Sequence, residues 1–159
     1  MKNIYIVLTL ILAFVSCDTA VKSEKQTGII EGEDTKSLTI DAFNDAYLAN
    51  DMTGQDALFT EDAVAQVNSE EMSTSEMIEA FMGGREFYND IKNINPSTST
   101  FTYDDGAIYT STWFTWEGIS KSTGVTVNNP VHAYFRWEGD KVSRVAYIFD
   151  SAEYVANME

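Results

Sequence analysis

The chain has 159 residues, of which 44% are hydrophobic and 13% aromatic, a composition that supports one globular core and is short for two. Its formal net charge of −15 at pH 7 gives a surface that repels phosphate groups, which argues against nucleic acid as a partner. The single cysteine excludes an internal disulfide. We therefore predict one acidic globular domain that binds no nucleic acid.

The N-terminus has the features of a targeting signal. Lys2 precedes an apolar run over residues 4–15, which is too short to span a bilayer comfortably and suits the core of a signal peptide. The run closes on Phe14-Val15-Ser16-Cys17, which resembles the bacterial lipobox, with Phe14 where leucine is more usual. We predict a lipoprotein signal peptide over residues 1–16 and a lipid anchor on Cys17, with a buried cysteine as the alternative.

The lipobox resemblance implies a protein of the bacterial cell envelope that is held on a membrane by acyl chains, and it leaves the inner and the outer membrane both open. Residues 17–36 are polar and charged, with few large apolar side chains. Such a composition favours a flexible tether between the anchor and a folded domain. The domain itself is predicted over residues 37–159.

The first part of the domain is predicted to be mainly helical. Over residues 37–50, apolar side chains recur at three- and four-residue spacing, which indicates a helix with one buried stripe. Residues 53–59 favour a short second helix, and a strand is expected at residues 63–67. This segment therefore contributes two helices and the first strand.

A third helix is predicted to begin at Ser73. Ser73 and Glu76 have the spacing of a capping box, and apolar residues with helical spacing follow as far as Ile91. Gly83 and Gly84 each weaken a helix by about 1 kcal/mol relative to alanine. We therefore expect a kink at these two glycines.

After Pro96 the hydrophobic period changes from helical to alternating. Strands are predicted at residues 98–103 and 107–117, followed by a hairpin over residues 130–150 whose reversal lies at residues 138–141. Gly106 and Gly124 mark the other turns. Helices followed by an antiparallel meander predict an α+β fold.

Two segments carry a resemblance to a known family, AYLANDMTGQDALFTEDAVAQV at residues 46–67 and FRWEGDKVSRVAYIFD at residues 135–150. With the order of elements, they resemble the SnoaL-like branch of the nuclear transport factor 2-like superfamily over residues 38–153. The resemblance implies N-terminal helices packed on a curved antiparallel sheet, in a cone with a pocket at its wide end. That family contains isomerases, cyclases, dehydratases, hydrolases and proteins without catalysis, so it fixes no reaction.

The ketosteroid isomerases of this superfamily use an aspartate base, with a tyrosine and a protonated aspartate that hold the oxyanion. The resemblance places these three positions at Val67, Phe43 and Ala133 respectively. None of these side chains can donate or accept a proton. We therefore predict no catalytic residue and no isomerase chemistry of that kind.

The remaining polar candidates are weak. His132, the only histidine, alternates with Ala133 and is expected outside the cone, and Asp150 is interpreted as a polar strand end. Glu61 and Asp62 are expected in a solvated turn. The sequence has no metal-ligand cluster and no phosphate loop, so we predict neither a metal nor another cofactor.

Strand alternation and the implied cone together predict an aromatic pocket. Its predicted ligand-binding residues are Phe43, Tyr47, Val67, Phe114, Trp116, Ala133, Phe135, Tyr147 and Phe149. Two interpretations remain open. One is non-catalytic binding of a small apolar or amphipathic molecule. The other is a small-molecule enzyme of isomerase, cyclase or hydrolase type whose acid and base are not assigned, with Tyr47, Tyr147 or a carboxylate at a strand end as candidates.

The other face of the sheet is also apolar. By the same alternation it carries Tyr109, Trp113, Tyr134 and Ile148, which we call the outer apolar face. This is a larger apolar surface than a monomer usually leaves in water. Together with the pairing known in the resembled family, it predicts a homodimer through the sheet.

Overall fold

The computed structural model describes residues 27–158. The predicted signal peptide, Cys17 and most of the predicted tether lie outside these residues. The strands are β1 (Gly28–Glu31), β2 (Phe59–Val67), β3 (Glu70–Ser73), β4 (Tyr88–Tyr103), β5 (Ile108–Ser120), β6 (Thr126–Glu138) and β7 (Lys141–Phe149). The α-helices are α1 (Thr35–Leu48), α2 (Thr74–Gly83) and α3 (Ala152–Ala156), and short 3-10 helices lie at Gln55–Leu58 and Gly84–Glu86.

The described strands form one seven-stranded sheet in the order β1-β4-β5-β6-β7-β2-β3. All neighbouring pairs are antiparallel except β2 and β7, which run parallel. The sheet is curved and unclosed, and α1 packs against β4 and β5 on its concave face. The predicted α+β fold with helices on a curved, mainly antiparallel sheet is confirmed.

The predicted hairpin at the end of the domain is confirmed. β6 and β7 pair from Val131↔Phe149 to Glu138↔Lys141, and Gly139 lies in the reversal with φ of 61°. Along β6, exposed or half-buried side chains alternate with buried ones at every position. This period-two burial is what a sheet requires when it covers a core on one face only.

β4 is longer and more bent than the sequence indicates. Its pairing with β5 shifts register between Asn89 and Lys92 and again between Ile94 and Ser97. Asp90 and Asn95, at φ of 52° and 51°, lie in these two irregularities. Each β-bulge adds a residue to one strand and bends it, so β4 curves around the helices.

The helices differ in detail from the predictions. Asp34 caps α1 through bonds from the backbone N–H groups of Lys36 and Ser37, and the predicted capping box of Ser73 and Glu76 is present on α2. The predicted third helix does not continue past the glycines: it ends at Gly83, and Ile91 lies in β4. Two successive glycines and a 3-10 turn give the chain its reversal into the sheet.

The folded region begins earlier than residue 37. β1 lies within the predicted tether and pairs with the edge of β4 from Gly28↔Tyr103 to Glu31↔Thr100. Its apolar side chains Ile29 and Ile30 remain 65% and 64% exposed, so backbone hydrogen bonds rather than burial hold this strand. No described helix is both long and apolar enough to cross a bilayer.

The narrow end of the cone is densely packed. The Phe43 ring of α1 contacts the rings of Phe59 and Phe135 edge to face, with centroids 5.8 and 6.2 Å apart. Behind them, the hydroxyls of Thr100 and Thr110 are 2.9 Å apart, and the Trp137 indole N–H donates to Thr110 at 2.9 Å. The polar groups of Thr100, Thr110 and Trp137 are therefore paired with one another inside the core.

Candidate functional site

A cavity of about 240 Å³ lies at the wide end of the cone, between the helices and the concave face of the sheet. An apolar cavity of about 150 Å³ holds benzene. The cavity therefore has room for a molecule of one or two fused rings. Six predicted binding residues line it, namely Tyr47, Val67, Phe114, Trp116, Tyr147 and Phe149.

Three of the predicted binding residues do not line the cavity. Phe43 and Phe135 are 2% and 0% exposed and pack against each other in the narrow end. Ala133 is fully buried between Thr112 and Tyr147 in the sheet. These three residues share the concave face with the six lining residues, but they lie deeper, where α1 packs directly against the sheet.

Seven further residues line the cavity and were not predicted from the sequence, namely Asn44, Ala80, Phe81, Asn93, Asn129, Val131 and Tyr154. Val131 and Asn129 share the strand face of Ala133, so alternation contained a signal for both. Asn44 lies three residues before Tyr47 on α1, which puts both on one side of that helix. The other four depend on the course of α2, α3 and the bulged β4.

Strand register arranges the sheet side of the cavity in rows. In the outermost row Trp116 of β5 has Asn93 of β4 and Asn129 of β6 as its direct neighbours. The next row contains Phe114, Val131 and Phe149, and the deepest lining row contains Tyr147 and Val67. The polar side chains thus lie at the wide end, and the aromatic side chains lie below them.

Tyr47 reaches across from α1 to the outermost row. The Trp116 indole N–H donates a hydrogen bond of 3.0 Å to the Tyr47 hydroxyl oxygen. Arg85 holds the end of this helix by donating to the backbone carbonyls of Tyr47 and Leu48, and its guanidinium carbon lies 5.2 Å from the centre of the Tyr47 ring. The Tyr47 hydroxyl accepts from Trp116, so its own proton remains available for a ligand.

Trp116 is held in place by a glycine. A Cβ atom at Gly118, two residues along the same strand face, would lie 2.5 Å from the indole ring. Any other residue there would therefore displace the ring. The indole also meets the rings of Tyr88 and Tyr154 edge to face, at centroid distances of 5.2 and 5.4 Å.

The C-terminal helix α3 closes one side of the cavity. Tyr154 stacks on Tyr88 at a centroid distance of 4.8 Å, and the Tyr88 hydroxyl donates to the Tyr154 backbone carbonyl at 2.5 Å. Gly84 makes room for Tyr154, because a Cβ atom there would lie 2.5 Å from the tyrosine hydroxyl oxygen. The helix is therefore fixed by both ring contacts and a hydrogen bond.

The ionisable groups of the cavity are tyrosines. Burial raises the pKa of Tyr47, against the opposing effects of the Trp116 hydrogen bond and the Arg85 charge. Burial, with the nearby Tyr47, raises the pKa of Tyr147 and also raises the pKa of Tyr154 to about 12. At neutral pH all three hydroxyls are protonated and act as hydrogen-bond donors rather than bases.

Three carboxamides, those of Asn44, Asn93 and Asn129, line the cavity. Asn129 is only 6% exposed, and no described residue hydrogen-bonds to its carboxamide or to that of Asn44. The Asn93 side-chain oxygen is buried and also lacks a described partner. A buried polar atom without a partner costs about 1–3 kcal/mol in proteins, and among the lining carboxamides this applies to the Asn93 oxygen.

The other sequence candidates lie outside the cavity. His132 lies on the outer side of the sheet, where its ring stacks on that of Trp113 with a centroid distance of 4.6 Å and an interplanar angle of 4°. Burial lowers the pKa of His132. Asp150 is exposed and accepts the backbone N–H of Ala152. Glu61 and Asp62 are exposed as expected, but they lie in β2 rather than in a turn. In residues 27–158, no group of three or more acidic, histidine or cysteine side chains is placed to hold a metal ion.

Comparisons with known proteins support the fold. No family model matches the sequence, and no curated protein matches it closely enough to count. A candidate polyketide cyclase from Xanthomonas campestris is 16% identical with a TM-score of 0.62, over 77% of this chain and 96% of the other. A second candidate polyketide cyclase, from Pseudomonas putida, is 22% identical with a TM-score of 0.59, over 75% of this chain and 94% of the other.

A protein of ketosteroid isomerase-like fold from Catenulispora acidiphila, solved with trimethylamine, is 13% identical with a TM-score of 0.58, over 76% of this chain and 91% of the other. The domain therefore has the nuclear transport factor 2-like fold. Identities this low establish the architecture alone and assign no substrate.

Proposed function

We propose that the domain is a non-catalytic module that binds a small, planar, largely apolar and uncharged molecule in the aromatic cavity. The main support for this proposal is the set of side chains that line the cavity. The described lining residues are aromatic and aliphatic side chains with three asparagines, and they include no acidic, basic or histidine side chain. A charged ligand would enter this site without a counter-charge, which is strongly unfavourable in a buried environment.

The enzymatic alternative would use the tyrosines. Tyr47 and Tyr147 are close enough for a negative charge on Tyr47 to raise the pKa of Tyr147, and two neighbouring hydroxyls could polarise a ligand carbonyl. Proton abstraction also needs a base near the operating pH. Val67 occupies the position of the isomerase base and lines the cavity, and the raised tyrosine pKa values keep those hydroxyls protonated. Binding is therefore the better-supported function.

Naphthalene is a suitable first probe because it is neutral, flat and composed of two fused rings. We expect the purified full-length protein to bind it with 1:1 stoichiometry in a titration followed by tryptophan fluorescence. Val131→Phe should remove binding, because Val131 lies between Phe114 and Phe149 in the middle row of the cavity's sheet side. Val125→Phe is the matched control, since Val125 is 41% exposed outside the cavity. Absence of binding to the unaltered protein would reject the proposal.

We further propose that Cys17 carries the lipid anchor and holds this domain on a membrane of the bacterial cell envelope. The support is the apolar run that ends in Phe14-Val15-Ser16-Cys17. Cys17→Ser should move the protein from the membrane fraction to the soluble fraction. Retention on the membrane, with a mature N-terminus other than residue 17, would contradict the anchor.

A homodimer through the outer apolar face is the third proposal. Trp113 and Ile148 on this face are 41% and 52% exposed in the single chain. Trp113→Glu should shift the protein toward monomer, because a dimer would bury the new carboxylate without a partner. A monomeric mass for the unaltered protein in light scattering at tens of micromolar would argue against the dimer.

A further inference from the structure

The wide end of the cavity contains a set of polar groups that the domain itself does not use. Asn93 and Asn129 flank Trp116 in one row of the sheet, and Asn44 faces them from α1, one turn before Tyr47. The side-chain oxygen of Asn93 is buried without a hydrogen-bond partner, and the Asn44 and Asn129 side chains line the cavity beside it. The indole N–H of Trp116, in contrast, is already bonded to the Tyr47 hydroxyl.

These groups offer both kinds of hydrogen bond. A carboxamide provides one acceptor oxygen and two N–H donors, and the Tyr47 hydroxyl still has a proton to donate. The two sheet asparagines are on strands separated by β5, which places their backbones about 10 Å apart at the usual strand spacing. They therefore approach the cavity from different sides, with the indole between them.

The row of the sheet next to these polar groups is apolar. Phe114, Val131 and Phe149 form the next row of the sheet, directly below the asparagines. A ligand that fills the site would place its flat apolar part on this row and its heteroatoms in the outermost row. An entirely apolar ligand would leave the carboxamides buried without partners.

We propose that the ligand is a neutral planar molecule of one or two rings that carries both a hydrogen-bond donor and an acceptor on its polar edge, bound by Asn44, Asn93 and Asn129. Cyclic amides and hydroxylated ring ketones have this chemistry. The inference rests on the proposed binding function and adds the recognition chemistry of the same site. Asn129 is the main recognition residue, because it is the most buried of the three.

Three bicyclic probes of similar size test this assignment. They are 1(2H)-isoquinolinone, a lactam with one donor and one acceptor, naphthalene, which has neither, and 1-naphthoate, which is an anion. Calorimetric titration of the full-length protein should give an affinity for the lactam at least about tenfold higher than for naphthalene, the change expected for one well-made hydrogen bond. Naphthoate should bind more weakly than naphthalene.

The variants separate recognition from packing. Asn129→Leu keeps the approximate volume and removes the carboxamide, so it should weaken lactam binding about tenfold and leave naphthalene binding equal or tighter. Asn128→Leu is the matched control, because Asn128 is the neighbouring residue on the exposed side of β6. Asn44→Leu, on a half-buried helical position, provides a second test that does not alter the sheet.

The outcomes are distinct. If naphthalene binds as well as the lactam, and if Asn129→Leu and Asn44→Leu leave the ratio of the two affinities unchanged, the recognition role of the asparagines is wrong while the binding function stands. If none of the three probes binds, both the binding function and this assignment are rejected. A preference for the lactam that is lost in Asn129→Leu and kept in Asn128→Leu supports the assignment.

Discussion

The two halves of the concave face are built from similar side chains and differ in what those side chains contact. In the narrow half, the Phe43 ring meets those of Phe59 and Phe135 at centroid distances of 5.8 and 6.2 Å, and all three side chains are at most 4% exposed. In the wide half, Phe114 and Phe149 face an open volume of about 240 Å³. Aromatic content alone therefore does not distinguish a core from a binding site.

The polar groups distinguish the two halves more clearly. In the narrow half, the Thr110 hydroxyl is paired with Thr100 and also receives the Trp137 indole N–H, so these three buried groups are paired with one another. In the wide half, the side-chain oxygen of Asn93 is buried without a partner, and Asn129, which is 6% exposed, lines the same cavity. Polar groups that a fold leaves unpaired next to a cavity indicate a site that a ligand completes.

The largest expected effect compares a phenylalanine from each half. Phe135→Ala should lower the free energy of unfolding by about 3–5 kcal/mol, because it opens a new cavity in a closed core. Phe149→Ala should cost clearly less, since its ring already borders open space. Urea denaturation followed by circular dichroism measures both. Equal losses for the two variants would mean that the wide half is packed as tightly as the narrow half.

A smaller effect compares the polar groups. Thr110→Val removes a hydroxyl that serves Thr100 and Trp137, so it should lower the free energy of unfolding by about 1–3 kcal/mol. Asn129→Leu removes a carboxamide without a described partner and should leave stability unchanged or raise it. Thermal and chemical denaturation of the ligand-free proteins give this comparison. A loss in Asn129→Leu as large as that in Thr110→Val would show that the carboxamide has a structural partner.

The smallest expected effect is that of pH on binding. The cavity tyrosines have raised pKa values, so they are protonated in both the folded and the unfolded chain below pH 10. Naphthalene affinity should therefore change less than about twofold between pH 7 and 9. Above pH 10 the unfolded chain loses these protons first, so stability should fall as pH rises. A bell-shaped binding profile near neutrality would instead reveal an unassigned acid or base.

Strand alternation predicted which side chains share the concave face, because the period of two holds wherever a strand is regular, as it does throughout β6. It could not predict which of them line a cavity. Phe43 and Tyr47 are one turn apart on α1, yet the first is in the closed core and the second borders open space. That difference depends on the distance between the helix and the sheet, which cannot be predicted from the local sequence pattern.

Two other features were hidden for physical reasons. β1 is held by backbone pairing while Ile29 and Ile30 stay exposed, so its sequence has no burial pattern to reveal it. Asn93 becomes the neighbour of Trp116 only through the bulges of β4, which shift the register by amounts that the sequence does not state. Asn129 shares a strand face with Ala133, so strand alternation could have predicted its position. That its side chain lines a cavity is evident only from the structure.

The central claim is that the wide half holds a ligand and the narrow half does not. Intermolecular nuclear Overhauser effects between naphthalene and the aromatic side chains of the full-length protein test it most directly. We expect contacts from the ligand protons to the rings of Phe114, Phe149 and Tyr147, and none to Phe43 or Phe135. Contacts confined to the outer apolar face, at Trp113 or Tyr109, would contradict it.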